Sequence, residues 1–162
     1  MDTDLTPETF LDQLPERSCL LGLDLGSKTI GMAISDPDFI AASPVGTIRK
    51  KKFSIDAQNL INVIMERSVG GLVLGLPVNM DGSEGPRVQS TRAFARNFLA
   101  LQPMPLLYWD ERLSTVAAER AMIDADLSRR KRAENVDQIA ASLILQGCLE
   151  RLSVIRAQRG AT

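Results

Sequence analysis

The chain has 162 residues, a formal net charge of −1 and a composition ordinary for a soluble globular protein, which predicts one domain. It contains no histidine, and this excludes histidine-based zinc sites, Ser-His-Asp triads and a histidine general base. Its apolar runs are shorter than the roughly 20 residues that span a bilayer, and its acidic N-terminus lacks the regions of a signal peptide. We therefore expect a cytoplasmic protein with no membrane partner.

The first half of the chain is predicted to form strands. Two apolar runs predict strands at 19–25 and 29–35, joined by a turn at Gly26–Lys28. A third, imperfect strand is predicted at 40–48, where Pro44 suggests an edge or a bulge. A helix over 54–68 and a wholly apolar strand over 71–75 follow, and the latter is typical of the centre of a sheet.

The second half is predicted to be mainly helical. A helix is expected over about 87–101, then a strand over 105–109. Ser114 is expected to cap a helix that runs to about Ala125. A basic connector (126–134) leads to a last helix, roughly 135–156. Three leading strands followed by alternating strands and helices predict an α/β fold, with a mixed sheet flanked by helices.

Four carboxylates lie where such a fold would gather them. Asp24 ends the first strand, Asp110 and Glu111 end the last strand, and Asp137 lies near the start of the final helix. Ligand sites of open α/β sheets lie at the carboxyl ends of strands. Clustered carboxylates repel one another unless a cation neutralises them, and oxygen ligands without His or Cys favour Mg²⁺ or Mn²⁺. The pattern indicates a metal site suited to phosphodiester hydrolysis.

Each acid also has a purely structural interpretation. An Asp before a glycine turn commonly accepts hydrogen bonds from the turn backbone. Glu111 could pair with Arg112 on the surface, and Asp137 could favour the positive end of its helix. The spacing alone leaves both interpretations open.

Two basic clusters, Arg49–Lys52 and Arg129–Arg132, could bind phosphates. Each could equally be a solvated loop. Cys19 and Cys148 have no metal-binding or redox spacing and are interpreted as buried or incidental thiols.

Four segments in succession resemble the motifs of the YqgF/RuvX family of ribonuclease-H-fold nucleases. They are "LGLDLGSKTIGMAISDP", "VLGLPVNMDGSEGPR", "DERLSTVAAERAMIDADLSRRKR" and "VDQIAASLILQ". The resemblance runs from about Leu20 to Leu149. It implies a ribonuclease H-like five-stranded mixed sheet, with the first three strands antiparallel, in a nuclease domain over 19–157. The acidic extension 1–18 lies outside it, with disorder as an open alternative, and 158–162 would be a tail.

The resemblance also implies roles for individual residues. Asp24, Glu111 and Asp137 would be catalytic metal ligands for Mg²⁺ or Mn²⁺, with Asp110 as a further catalytic acid. The predicted substrate-binding residues are Lys28, Asn79, Ser83, Arg112 and Thr115, together with Arg129, Arg130, Lys131 and Arg132 because of their charge. Asn79 and Ser83 could equally belong to a structural Gly/Asn/Asp turn. Related nucleases often carry an acid at the end of the fourth strand, where this chain has Gly75-Leu76-Pro77. That difference leaves the number of bound metals open.

The family is associated with maturation of the 5′ end of the 16S rRNA precursor and with cleavage of Holliday junctions. The partner would therefore be structured RNA or branched DNA, and junction cleavage would favour a homodimer. A non-catalytic module on ribosome precursors is an alternative. A single ATP-binding lobe of the actin/Hsp70 type is another, since those proteins open with a similar strand-turn-strand, but they need two lobes.

Overall fold

The computed structural model describes residues 4–113 and 129–160; of residues 129–135 it describes the backbone alone. Within these ranges the chain forms a five-stranded sheet with strand order β3-β2-β1-β4-β5. The strands are β1 (Cys19–Leu25), β2 (Thr29–Ser35), β3 (Ala42–Arg49), β4 (Val69–Leu76) and β5 (Leu106–Asp110). The helices are α1 (Pro7–Gln13), α2 (Phe53–Glu66), α3 (Pro86–Leu101) and α4 (Arg129–Gly160).

The sheet is mixed, as the sequence predicted. β1 pairs antiparallel with β2, and β2 pairs antiparallel with β3. β4 is parallel to β1, and β5 is parallel to β4. Consequently β1, β4 and β5 all end at one edge of the sheet, which is the edge where ligands of such folds bind.

Successive side chains of β1 point to opposite faces of the sheet, and an apolar layer covers each face. Leu20 packs in a core cluster with residues of α4, whereas Leu21 and Leu23 pack in a second cluster with residues of α2 and α3. Gly22 lies on the α4 face, where a Cβ atom would come within 2.8 Å of Leu145 Cβ. Because side chains alternate along a strand, Asp24 is assigned to this same α4 face.

Helix α4 is the central element of the first layer, and it begins earlier than predicted. It starts at Arg129 rather than near residue 135, so the cluster Arg129–Arg132 has helical backbone and is not a connector. Helical backbone is compatible with this composition because Arg and Lys are good helix formers. The predicted cap Ser114 and the predicted substrate contact Thr115 lie outside the described residues.

The length of α4 and its apolar residues are explained by packing. Val136–Gly160 is long and apolar enough to cross a membrane by length and composition alone. One face of this segment, however, is buried against the sheet, and Leu145, Leu149 and Leu152 on it are fully inaccessible, whereas Val154 is exposed. These three leucines therefore belong to the core. Cys148 is buried beside them, and burial raises the pKa of its thiol to about 12.

The N-terminal segment, for which disorder was an open alternative, contains an ordered helix. Thr6 caps α1 with its side-chain oxygen, and Phe10 is fully buried in the α4 cluster. Asp12 forms a 2.9 Å salt bridge with Arg159, and Asp4 forms one of 2.9 Å with Arg92. Residues 4–13 are thus attached to the domain, whereas the domain limits drawn from the sequence remain a prediction.

Candidate active site

Asp24 lies at the ligand-binding edge of the sheet and is 3% exposed. Its partner across the β1–β2 ladder is Gly31. Directly opposed residues of an antiparallel pair project to the same face, so the side chain of Asp24 emerges beside the space above Gly31. A buried carboxylate in this setting is costly unless it is hydrogen-bonded or paired with a positive charge.

Asp137 occupies the space above Gly31. A Cβ atom at Gly31 would overlap the carbonyl group of Asp137, so only glycine allows α4 to approach β2 this closely. The Thr29 hydroxyl donates a hydrogen bond to Asp137 Oδ2. The same oxygen lies 3.5 Å from where a Cβ atom of Gly26 would be. Asp137 is therefore held at the end of β1 and the start of β2, on the face of Asp24.

Glu111 reaches the same face from the other side of Asp24. The β1–β4 register pairs Leu23 with Leu74, which places Asp24 level with Gly75. Glu111 Cγ lies 3.5 Å from where a Gly75 Cβ atom would be. The glycine at the end of β4, where related nucleases often carry an acid, instead leaves room for the side chain of Glu111.

Asp110 points elsewhere, although it is adjacent to Glu111 in sequence. It pairs with Leu76 across the β4–β5 ladder and so belongs to the opposite face from Trp109 and Gly75. Its carboxylate accepts from the Arg112 guanidinium at 2.7 Å and from the Arg112 backbone N–H at 2.9 Å. These hydrogen bonds hold the pKa of the Asp110 carboxyl below its usual range.

The loop after β4 contains the predicted substrate residues Asn79 and Ser83. Asn79 Nδ2 donates to Ser83 Oγ at 3.0 Å, and Ser83 Oγ donates to Asp81 at 2.6 Å. The hydrogen bond from Ser83 lowers the pKa of Asp81. Arg112 donates to the carbonyl oxygen of Met80, which links this loop to the end of β5. Asn79 and Ser83 thus form a structured turn near Arg112, in keeping with the structural interpretation of this segment.

Lys28 belongs to a cleft on the α4 face. The cleft is lined by the turn Gly26–Lys28 together with Thr29, Arg49 and Asp137. Arg49 enters it because β3 pairs with β2 in a register that sets Arg49 against Thr29. Thr29 was not predicted as a site residue, and Arg49 was expected only as part of a basic cluster. The structure does not describe the side chains of the basic cluster Arg129–Arg132, so their predicted contacts with substrate stay a prediction.

The chemistry of this donor set fits a hard divalent cation. Asp24, Glu111 and Asp137 offer only oxygen atoms, which Mg²⁺ and Mn²⁺ prefer. Among residues 4–113 and 136–160, no three acidic or cysteine side chains are grouped closely enough to hold one ion between them. Mg²⁺ is usually bound through one or two carboxylates and keeps several waters, so a smaller set of protein ligands is sufficient.

The fold defined by this sheet and helix order is that of RuvC-like, ribonuclease H-fold resolvases. RuvC of T. thermophilus, solved in complex with a Holliday junction substrate, matches with a TM-score of 0.56 at 8% identity, over 86% of this chain and 96% of that chain. The yeast mitochondrial Holliday junction resolvase Ydc2 matches with a TM-score of 0.53 at 12% identity, over 95% of this chain and 87% of that chain. These likenesses confirm the predicted fold.

Sequence comparison identifies the particular family. The family model RuvX, described as Holliday junction resolvase, matches residues 18–151. The chain is 59% identical to a protein of Rhodobacter capsulatus over 94% of this chain and 96% of that protein, and 60% identical to one of Paracoccus denitrificans over 90% and 92%. Both relatives are named as candidate pre-16S rRNA nucleases. The chain belongs to the RuvX family, which confirms the resemblance seen in the sequence and supports a nuclease rather than an ATP-binding lobe.

Proposed function

We propose that the protein is a divalent-metal-dependent nuclease that hydrolyses phosphodiester bonds in the precursor of 16S rRNA. The observation that carries the proposal is the position of Asp24 between two glycines. Gly31 admits Asp137 on one side, and Gly75 leaves space for Glu111 on the other. Three acids from distant parts of the chain are therefore located at one edge of the sheet, on one face.

The proposal assigns distinct roles to the acids. Asp24, Asp137 and Glu111 would hold Mg²⁺ or Mn²⁺, one or two of them directly and the rest through water, and the bound ion would supply an activated water and stabilise the leaving oxygen of a phosphodiester. Thr29 would orient Asp137 through its hydrogen bond. Asp110, which is paired with Arg112, would fix the end of β5 from which Glu111 projects. Among the two adjacent acids we therefore assign metal binding to Glu111 and a positioning role to Asp110.

The proposed substrate contacts are cationic groups around the acids. Lys28 is exposed beside Asp137 and would contact a phosphate next to the scissile bond. Arg129, Arg130, Lys131 and Arg132 precede Asp137 on α4 by one to two helical turns and would bind the backbone further along the strand. These contacts to phosphates would provide affinity without reading the base sequence.

Structured RNA is favoured as the substrate because the relatives at 59–60% identity carry the name of a pre-16S rRNA nuclease. A protein that acts on this substrate would work in the cytoplasm. Branched DNA is the second candidate, favoured by the description of the family model. Symmetric cleavage of a four-way junction needs two active sites, so this second function requires a homodimer, whereas processing of one RNA end does not.

The test compares cleavage of three end-labelled substrates in Mg²⁺ or Mn²⁺. They are an RNA spanning the 5′ end of 16S rRNA with its leader, a single-stranded DNA of the same sequence, and a four-way DNA junction. We expect cleavage of the RNA at a defined position, and no cleavage by Asp24→Asn. If the protein cleaves the junction symmetrically and leaves the RNA uncut, the substrate is branched DNA and not the rRNA precursor. If the folded protein cuts none of the three, the nuclease proposal is wrong.

A further inference from the structure

A second cleft lies on the opposite side of the turn Gly26–Lys28. It shares Gly26 and Ser27 with the cleft that contains Asp137. Its remaining walls are Leu25, Lys50, which follows β3, and the α3 residues Arg87, Ser90, Thr91 and Phe94. Lys50 and Arg87 are the charged residues of this lining. One cleft opens on the α4 face and the other on the α3 face, so the turn is a ridge between two connected grooves.

The cations along these two grooves have no acidic partners within the described side chains. Lys28 and Arg49 line the first groove, and Lys50 and Arg87 line the second. None of them forms a salt bridge with any acid in residues 4–113 or 136–160. Several arginines elsewhere are paired, as Arg92 is with Asp4 and Glu84. The positive charge along the grooves is thus left for a ligand.

Lys50 is held in place at the second groove. Its backbone N–H donates to the Lys28 carbonyl at 2.8 Å, and its Nζ donates to the Gly26 carbonyl at 3.2 Å. A single carbonyl contact leaves two of the three ammonium protons for other acceptors. Lys50 is therefore fixed on the ridge with donors to spare, and Arg87 lies across the groove from it.

The two hydroxyl groups that α3 contributes to this groove are already hydrogen-bonded. Ser90 Oγ and Thr91 Oγ1 both donate to the carbonyl oxygen of Arg87, at 3.0 and 2.9 Å. The side-chain donors that remain are the two cations and the Ser27 hydroxyl, and the cations bind phosphate oxygens well and carry little information about bases. The groove is consequently suited to a phosphodiester backbone, and it offers no set of groups for reading base edges.

We infer that the groove between Lys50 and Arg87 binds the backbone of the substrate strand next to the scissile phosphate, so that the strand crosses the ridge Gly26–Lys28. The inference rests on the proposed function, since it takes the acids as the place of cleavage. On the inferred path of the substrate strand, the phosphates on one side of the scissile bond lie on the α3 face, and the cleaved bond lies on the α4 face.

The test measures binding of a non-cleavable 5′-leader RNA to the protein in the absence of divalent metal, across a salt series. We compare wild type with the double variant Lys50→Gln/Arg87→Gln. The matched control is Arg67→Gln/Arg96→Gln, two exposed arginines that form no salt bridge with described side chains and lie away from the ridge. Both variants remove two positive charges, so an effect of net charge alone would be equal in the two.

We expect the groove variant to bind about tenfold more weakly at low salt and the slope of log K against log salt to fall by up to about 0.7 per lost contact on a single strand. The control should match wild type. Two single variants test whether weaker binding comes from a lost phosphate contact or from a disturbed Gly26–Lys28 turn. Arg87→Gln leaves the turn intact and should weaken binding. Lys50→Arg keeps the positive charge and should bind as wild type does. Circular dichroism checks the fold of each variant.

Position along the strand is tested with neutral methylphosphonate linkages placed one at a time. On one side of the scissile bond, a neutral linkage should weaken binding to wild type severalfold and have no further effect on the groove variant. The inference would be overturned if the groove and control variants had equal salt slopes. It would also be overturned if, at every linkage, the loss of binding caused by the neutral linkage were the same in the groove variant as in wild type. Since these are binding measurements, a wild type that binds but never cleaves RNA would overturn the proposed function alone.

Discussion

Gly31 lies directly opposite Asp24 in the β1–β2 ladder, and the space above it is filled by the backbone of Asp137. A glycine on the strand thus sets the separation between a strand acid and a helix acid. Since a Cβ atom at Gly31 would overlap the Asp137 carbonyl group, any larger residue must displace α4 at the site.

We expect Gly31→Ala to lower the stability by about 1–3 kcal/mol, as overpacking does, and to reduce cleavage more than that loss explains. The reason is that Asp137 moves away from Asp24. Urea unfolding and cleavage assays on the folded protein measure the two effects. Gly160→Ala is the matched control, because a Cβ atom there meets nothing within 4 Å. Normal cleavage by Gly31→Ala would show that the helix position is not critical.

Asp24→Asn should abolish cleavage while the protein stays folded. The change keeps the size of the side chain and removes its charge, so we expect cleavage to fall by at least about 100-fold. Circular dichroism and RNA binding without metal should resemble wild type. A folded variant that cleaves at the wild-type rate would reduce Asp24 to a turn residue.

The two adjacent acids should respond differently. Glu111→Gln is expected to lose cleavage, because Glu111 lies on the Asp24 face beside Gly75. Asp110→Asn should retain measurable cleavage and lose stability, since its carboxylate binds Arg112 on the other face. Comparing rates at saturating metal with unfolding midpoints separates the roles. The reverse pattern would assign metal binding to Asp110.

The Asp110–Arg112 pair also predicts a pH dependence. Hydrogen bonds from Arg112 lower the pKa of Asp110, so the pair stabilises the folded state above the unfolded pKa of about 4. This contribution is lost as the pH falls through the lowered value. Wild type should therefore be more stable than Asp110→Asn at neutral pH, and the difference should shrink in acid. Thermal unfolding across a pH series measures it, and a difference that is independent of pH would contradict the assignment.

Metal removal should abolish cleavage and leave the fold unchanged. Because the three candidate ligands are carboxylates, Mg²⁺ or Mn²⁺ should restore activity after treatment with EDTA. Substrate cleavage is measured after chelation and again after each ion is added back, with circular dichroism as the control. Undiminished cleavage in thoroughly chelated buffer would contradict metal dependence.

From the sequence alone, the order of the five strands with α2 and α3 between them was predicted correctly, although α1 was not predicted, and the carboxylates indicated the chemistry of the site. The apolar runs of β1 and β2, interrupted at Gly26–Lys28, predicted both strands at their observed limits, because strands buried between two layers are apolar throughout. The absence of histidine and the acids at strand ends indicated oxygen ligands. Four motifs in order identified the family, and the family match over residues 18–151 confirms it.

Only the tertiary structure decided which acid of the pair Asp110-Glu111 faces Asp24. Adjacent residues at the end of a strand project to opposite faces, and the sequence does not say which face α4 covers. The strand register settles this, since it sets Asp110 against Leu76 and brings Glu111 beside Gly75. The start of α4 at Arg129 was also missed, because a run of basic residues has no apolar period to mark a helix. The ridge between the two grooves could not be predicted either, because Lys50 and Arg87 meet there only through strand pairing and helix packing.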